Sequence, residues 1–391
     1  MDKCLWQYRT YSLRFPRPIH TARGIWTERT GLWIRQRDTH DSPWHYGEAA
    51  PLEAWGTESL SDALTFLQQQ DTHQILPPTA IPETLPALRF AVATLAARLI
   101  PNQDTHLIPV TQLLPLGQTP TTDLLDQLSD THPTPGLKTR HPSNSSPGQK
   151  EDQDTHLSPL NRTLTVKAKI DSSDACFAAW KTWVSQIERF NNSLMDKAFD
   201  TIRIRWDANG SLTEKAADNW LRMSQDVPNF EFLEEPLSWA NLSLSAQSAW
   251  SENYPFRVAW DESLADALAA TDPGSRFMAV LKPACLGVLN YNRHPESAAN
   301  HGCPEMELPG QNHGCPGLML LPPKWKKVYS SAWESPIGRE AVARIVISDP
   351  DSEFTPGLDS PFAKACPFYQ SGILDTHQLL HLWNNTPTAP L

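Results

Sequence analysis

The chain has 391 residues, enough for one large domain or two ordinary ones, and 40% hydrophobic content with 15 tryptophans suits a substantial core. A formal charge of −11 without a strongly basic patch argues against a nucleic-acid partner. No run approaches the length of a membrane span, and the start MDKCLWQYRTYSLRF has no apolar signal core, so a cytoplasmic protein without membrane attachment is expected.

The first hundred residues carry the segments TARGIWTERTGLWIR and YGEAAPLE, then helix-like stretches at 58–70 and 84–99. The chain's 35 prolines are unevenly spread, concentrating between 101 and 162 and again between 295 and 323. Residues 129–162, with PTPGLKTRHPSNSSPGQKEDQD, have the composition of a disordered excursion. Asp-Thr-His occurs six times, starting at Asp38, Asp71, Asp104, Asp130, Asp154 and Asp375, with irregular spacing that defines no solenoid. NHGCP starts at Asn300 and again at Asn312. Its H-x-C pairs, His301 with Cys303 and His313 with Cys315, lack zinc-finger spacing and arise automatically from duplication, so both repeats are read as loops. The six cysteines (Cys4, Cys176, Cys285, Cys303, Cys315, Cys366) include no C-x-x-C pair and are read as reduced thiols.

Beyond residue 163 the pattern becomes regular. The strand LTVKAKI is followed by a helix at 174–190, the strand TIRIRWD, a helix at 213–224, the strand FEFLEE, a helix around 240–250, then FRVAWDE, a short helix and FMAVLK. Strands alternating with helices predict parallel βα units, and their number points to a barrel. Lys167 and Lys169 are two apart, so both point to one face of their strand, where like charges repel. An edge strand protected by lysines is one explanation. A site holding anions or a metal is the other.

The strand ends favour the second. Lys169, Asp207, Glu234, Asp261 and Lys282 close five successive strands, separated by 38, 27, 27 and 21 residues, about one βα unit each. In a parallel barrel such residues meet at the C-terminal rim, where barrel enzymes place their chemistry. Three carboxylates without His or Cys suit a hard cation such as Mg²⁺. Arg205 shares the strand face of Asp207 and could pair with a rim carboxylate. Cys285 has no histidine nearby in a recognisable arrangement and is read as core.

The ordered set VKAKI, RWDANGS, FLEEPL, VAWDESL, VLKPACLG, SSAWESPIG and TPGLDS resembles the enolase superfamily, and more narrowly its o-succinylbenzoate synthase family. The likeness covers most of the chain outside the inserts. It implies an α/β fold: an α+β capping domain at 1–100, a modified (β/α) barrel at 101–360, and a segment at 361–391 that packs on the cap. The TARGIWTERTGLWIR segment resembles the cap's mobile loop, which is the basis for lid roles at Trp26 and Arg29.

The resemblance implies Mg²⁺ (or Mn²⁺ in its place) on Asp207, Glu234 and Asp261, with Glu235 behind them. It implies Lys169 as the base that takes an α-proton and then assists loss of hydroxide, Lys167 as an aid that holds the carboxylate and lowers its neighbour's pKa, and Lys282 as a stabilising cation across the ring. Ser330, Gly357, Arg205 and Trp26 would contact a small-molecule substrate. The implied reaction is dehydration of 2-succinyl-6-hydroxy-2,4-cyclohexadiene-1-carboxylate to 2-succinylbenzoate, toward menaquinone or phylloquinone. A superfamily racemase or epimerase would use the same two lysines, an insert-damaged homologue would be inactive, and a Schiff-base aldolase would need a lysine but not the carboxylates. The oligomeric state is open, a monomer being compatible with all of these readings. The main departure is the stretch between Lys282 and Ser330, whose prolines disfavour a regular crossover helix.

The 129–162 insert precedes a strand and so belongs to the barrel face opposite the chemistry. Replacing residues 131–158 with a short Gly-Ser linker is expected to preserve Mg²⁺-dependent turnover, since doubling a loop's length costs only about 0.6 kcal/mol. A steady-state assay of the folded deletion variant checks this.

Overall fold

A computed structural model describes residues 5–21, 24–97, 111–114, 117–121, 163–187, 201–237, 241–264, 276–287, 324–349, 353–358 and 376–386, with a few single positions between them. Residues 129–162 lie outside the described residues, as do 295–323 apart from 321 and four of the six cysteines. The two described cysteines, Cys176 and Cys285, are free thiols.

Among the described residues, ten strands form two sheets. Strands β1 (Trp6–Thr21), β2 (Gly24–Gln36) and β3 (His45–Ala49) make an antiparallel sheet in that order. Strands β4 (Gln112–Leu114), β5 (Thr163–Lys169), β6 (Thr201–Asp207), β7 (Phe230–Glu234), β8 (Val258–Trp260), β9 (Met278–Leu281) and β10 (Lys326–Tyr329) form a parallel sheet in sequence order. The five expected helices are present, somewhat shorter than the sequence suggests, as Leu60–Gln68, Pro86–Ala97, Asp174–Ser185, Glu214–Met223 and Leu244–Asn253. Ser59, Ser173, Thr213 and Ser243 cap four of them, each side chain accepting a backbone N–H of the first turn.

Residues 353–358 bridge the two edges of the parallel sheet. Gly357 N donates to Tyr329 O at 2.8 Å, Ser331 N donates to Gly357 O at 2.9 Å, and Thr111 N, beside β4, donates to Pro356 O at 3.2 Å. A parallel bridge pairs Ser330 with Gly357. The curled sheet therefore closes through a stave too short to read as a strand in the sequence.

Alternation divides the barrel strands, broken by a register shift at the start of β7. Leu164, Val166 and Ala168, Ile202, Ile204 and Trp206, and Val258 and Trp260 face the helices in one large core. There Trp206 packs on Trp180, Trp220 and Phe230 with ring centroids 5.4, 4.9 and 4.7 Å apart. Aromatic pairs of this kind add about 0.5–1.5 kcal/mol each beyond their buried area. On the inward face, Phe232, Ala259, Met278, Val280 and Val328 form an apolar plug under β7–β10. The opposite half of the interior is polar, with Thr165 Oγ1 donating to Thr355 Oγ1 at 3.1 Å.

The two sheets are joined by Glu48, a fully buried residue of β3. It accepts from Tyr11 Oη (2.6 Å), Ser335 N (2.8 Å), Gly338 N (2.9 Å) and the Ser335 hydroxyl. Ser335 is the N-cap of the helix Pro336–Ser348, so a cap-sheet carboxylate satisfies the open N–H groups of a barrel helix. A Cβ at Gly338 would stand 2.9 Å from Glu48 Oε2, which is why glycine occupies that turn. On the same face of the antiparallel sheet, Trp383 of the helix Thr376–Asn385 packs with Tyr11, Trp33 and Tyr46. Burial raises the Glu48 pKa, although its donors pull against it.

Glu48→Ala leaves several donors unpaired in the interior at about 1–3 kcal/mol each, so a loss of roughly 3 kcal/mol or more is expected. The midpoint of urea unfolding measures it.

Candidate active site

Lys167 and Lys169 stand on the inward face of β5, which lies between β4 and β6 and is no edge strand. The protective edge reading therefore falls. Lys169 pairs in register with Asp207, and Asp207 with Glu234, so three strand ends bring their side chains to one level. Lys167 starts one layer lower, beside Arg205, and reaches upward. Its Nζ lies 2.6 Å from Glu234 Oε1 and 2.9 Å from Asp207 Oδ2. Lys169 Nζ lies 2.7 Å from Asp207 Oδ2 and also donates to Asn209 Oδ1. On the far side, Lys282, immediately after β9, donates to Asp261 Oδ2. Lys169 is the most open of the three lysines, with 37% of its side chain exposed against 15% for Lys167 and 16% for Lys282.

Acids outnumber bases here. Asp207, Glu234, Glu235, Asp261 and Glu262 gather around Lys167, Lys169 and Lys282, with Arg205 below also acting on Glu234. Burial alone would depress the Lys167 pKa, but Asp207, Glu234 and Asp261 outweigh it and push the value up, so Lys167 remains an ammonium. The Lys282 pKa is raised in the same way, chiefly by Asp261 and Glu262 against burial. Burial also opposes ionisation of Asp207, yet the two neighbouring ammoniums hold it well below the usual carboxylate range. Glu234 is pushed up to about 7 by burial, with Asp207 and Asp261 adding to the effect and Lys167 opposing it. Glu235 rises to about 8, from burial and the charge of Glu262. It accepts from Asp261 N at 2.9 Å and Ser263 N at 3.2 Å, which fixes the backbone that carries Asp261.

The expected convergence of three carboxylates on one point is not formed in this arrangement, because each carboxylate is turned toward a lysine. Among the described residues no three His, Cys, Asp or Glu side chains group closely enough to hold a metal ion. The donor set itself fits a hard dication. One ammonium, that of Lys167, already lies within hydrogen-bond reach of oxygens from both Asp207 and Glu234. The cluster is short of positive charge, and Glu262 Oε2 is buried with no hydrogen-bond partner among the described residues.

The remaining expected positions spread around this centre. Ser330 follows β10, its N donating to Leu281 O at 2.8 Å, one residue from Lys282. Gly357 faces it, and a Cβ there would meet Ser330 Oγ at 3.1 Å. Arg205 lies beneath, 2% exposed, where Nε donates to Glu231 Oε2 at 2.5 Å and one terminal nitrogen to Thr111 Oγ1 at 2.9 Å. The barrel's own groups therefore meet its charge from below. Trp26 on β2 packs against Trp55 and Trp333, with centroids 5.4 and 6.1 Å away. Trp333, three residues beyond Ser330, holds φ 58°, an uncommon left-handed conformation for a bulky residue. Arg29, 1% exposed, donates to the carbonyls of Ala50 and Pro51 and so ties β2 to the segment that carries Trp55. Burial pushes the Cys285 thiol up to about 12, which fits an inert side chain. Sequence reasoning left Asn209, Glu262, Trp55 and Trp333 without roles. The first two lie inside the quoted D-A-N and D-E-S motifs, whereas no spacing signal marks the tryptophan cluster.

A curled parallel sheet capped by an antiparallel one is the fold that the chain shares with several solved structures. One of them, from Enterococcus faecalis, is described as a member of the enolase superfamily, at 16% identity and a TM-score of 0.54 over 91% of this chain and 85% of that one. The chain is similar over 90% of its length to the o-succinylbenzoate synthase of Thermosynechococcus elongatus BP-1 complexed with Mg, covering 92% of that chain at 23% identity and a TM-score of 0.56. It is similar to a dipeptide epimerase of Methylococcus capsulatus complexed with Mg and a dipeptide, over 91% of this chain and 90% of that one, at 19% identity and a TM-score of 0.55. A 92-residue stretch, 23% of this chain, is 40% identical to the o-succinylbenzoate synthase of Thermosynechococcus vestitus and spans 28% of that protein's length. No family model matches the chain. No helix among the described residues is long and apolar enough to cross a membrane.

Arg205→Met strips Glu231 of its closest partner inside the barrel. Breaking a buried pair from one side costs roughly 3–5 kcal/mol, and because Arg203 Nη1 also lies 3.2 Å from Glu231, the lower end is expected in chemical denaturation. Combining it with Glu231→Gln should recover part of the loss.

Proposed function

We propose that the chain is an o-succinylbenzoate synthase, catalysing the syn dehydration of 2-succinyl-6-hydroxy-2,4-cyclohexadiene-1-carboxylate to 2-succinylbenzoate. The observation that carries the reading is the pair of lysines on β5 and after β9, with one carboxylate at the end of each of the three strands between them. The 40% identical stretch shared with a curated synthase supports this choice within the superfamily.

In this reading Asp207, Glu234 and Asp261 hold Mg²⁺, and Lys167 gives up its place between two of them. Bound there, the dication supplies Lewis-acid stabilisation for the charge that develops on a carboxylate as its α-proton leaves. Lys169, the most open amine, takes that proton. It then returns it to the departing hydroxyl on the same face, so that water and the aromatic product leave in balance. Lys282 stays an ammonium on the opposite side and stabilises the anionic intermediate. Lys167, released from the metal carboxylates, helps to hold the substrate carboxylate beside Lys169. Trp26, Ser330 and Gly357 border the substrate, and Arg205 supports the site from beneath.

A second reading, a racemase or epimerase, is favoured by the same pair of opposed lysines and by the dipeptide epimerase neighbour. That reaction needs a proton removed on one face and returned on the other. Loss of ultraviolet absorbance from the cyclohexadiene, with and without Mg²⁺, tests the dehydration. Solvent deuterium at an inverted α-carbon of an N-acylamino acid or dipeptide tests the epimerase.

Lys169→Ala and Lys169→Arg should each lose roughly 10²–10⁴-fold in kcat, guanidinium being no base at usable pH. Lys282→Ala should be impaired but keep a primary deuterium isotope effect on its residual dehydration. Asp207→Ala, Glu234→Ala and Asp261→Ala should abolish Mg²⁺-dependent turnover in folded protein. Survival of turnover in any two of the three would overturn the metal assignment.

A further inference from the structure

Asn209 follows β6 in a left-handed turn, at φ 44°, with Gly210 also at positive φ. Asparagine tolerates that conformation better than most residues. Its backbone N donates to Asp207 Oδ1 at 3.1 Å, which ties the turn to the strand end. Its side chain spans the gap between two barrel strands. Oδ1 accepts from Lys169 Nζ, and Nδ2 donates to Glu262 Oε1 at 3.3 Å.

An asparagine amide can turn over and exchange its oxygen for its nitrogen. Glu262 prevents this, because a carboxylate can only accept and therefore selects the NH₂ end. The oxygen then faces Lys169. A neutral lysine amine has two N–H bonds and one lone pair in tetrahedral array. Two acceptors stand beside Lys169, Asp207 Oδ2 at 2.7 Å and Asn209 Oδ1. With both N–H bonds engaged, the lone pair points out of the cluster.

We infer that Asn209, oriented by Glu262, is a positioning residue that aims the Lys169 lone pair at the substrate. The inference rests on Lys169 being the base of the proposed reaction. It requires nothing of Asn209 as a metal ligand, and it assigns Glu262 the task of setting the amide's orientation. Without Asn209 the amine keeps its chemistry but loses one of two restraints. Misplacement by about 1 Å can cost on the order of 100-fold in rate.

The test uses full-length protein with Mn²⁺ or Mg²⁺ and the cyclohexadiene substrate. Asn209→Ala should lower kcat roughly 10–100-fold, while KM and the calorimetric Mn²⁺ affinity change by less than about 3-fold. Asn209→Gly, which removes any backbone penalty at positive φ, should behave alike. Asn209→Asp sets a carboxylate against Glu262 and should be slow, and adding Glu262→Gln restores a donor opposite it and should recover at least about 5-fold. Unchanged kcat in both Asn209→Ala and Asn209→Gly overturns the inference. So does a loss matched by an equal fall in Mn²⁺ affinity, or a double variant no faster than Asn209→Asp alone. Crystal structures give a readout independent of the reaction. Lys169 Nζ should hold one position in the wild type and several rotamers in Asn209→Gly, and an unchanged single rotamer overturns the inference. Wild-type protein that leaves the cyclohexadiene untouched overturns the proposed function instead, and the rotamer comparison still decides the role of Asn209.

Discussion

An ammonium held between two carboxylates inside a barrel organises the rest of this molecule. Lys167 is buried, which alone would drive it neutral, and Asp207 and Glu234 within 3 Å, with Asp261 beyond them, keep it charged. Those carboxylates in turn need the cation, since acids outnumber bases around them. Each partner is tolerable only where the other is, and parallel strand register is what brings them to one height. The inward polar half of the barrel follows from this. Arg205, Glu231 and Thr111 continue the compensation below, whereas Phe232, Met278 and Val280 fill the half where no charge needs company.

The cap is held by the same logic at another junction. Glu48 contributes no chemistry at the rim, yet it satisfies the N-terminus of a barrel helix whose N-cap begins five residues after Ser330. Arg29 ties β2 to the segment after Glu48, and that segment carries Trp55 to Trp26 and Trp333. A buried carboxylate and a buried guanidinium thus set where three half-exposed tryptophans meet beside the end of β10. The position of the aromatic wall depends on polar contacts remote from it.

Much of this was legible beforehand, because a strand's side-chain period is fixed at two and a βα unit has a characteristic length. From those two facts the lysine pair, the three carboxylates and Lys282 could be assigned to one rim, and five helices could be located to within a few residues. What proved illegible was non-local. The stave at 353–358 has no strand pattern, since two backbone edges hold it. Strand β10 hides among prolines. The partners of Arg205 could be named only as some acid, and Asn209 could be quoted within a motif without any sign that it touches Lys169.

By itself, then, the sequence determined the alternation of strand and helix, the side of each strand that carries charge, and the identity of the groups at the strand ends. Local backbone geometry and residue chemistry suffice for these. Only the tertiary structure decided that the sheet closes through Gly357, that the cap is latched by Glu48, and that Lys167 spans two carboxylates. It also decided that Glu262 turns the Asn209 amide toward Lys169. The physical reason is common to all four. Each depends on distances between groups far apart in the chain, and those distances exist only once hydrophobic burial has set the strands and helices against one another.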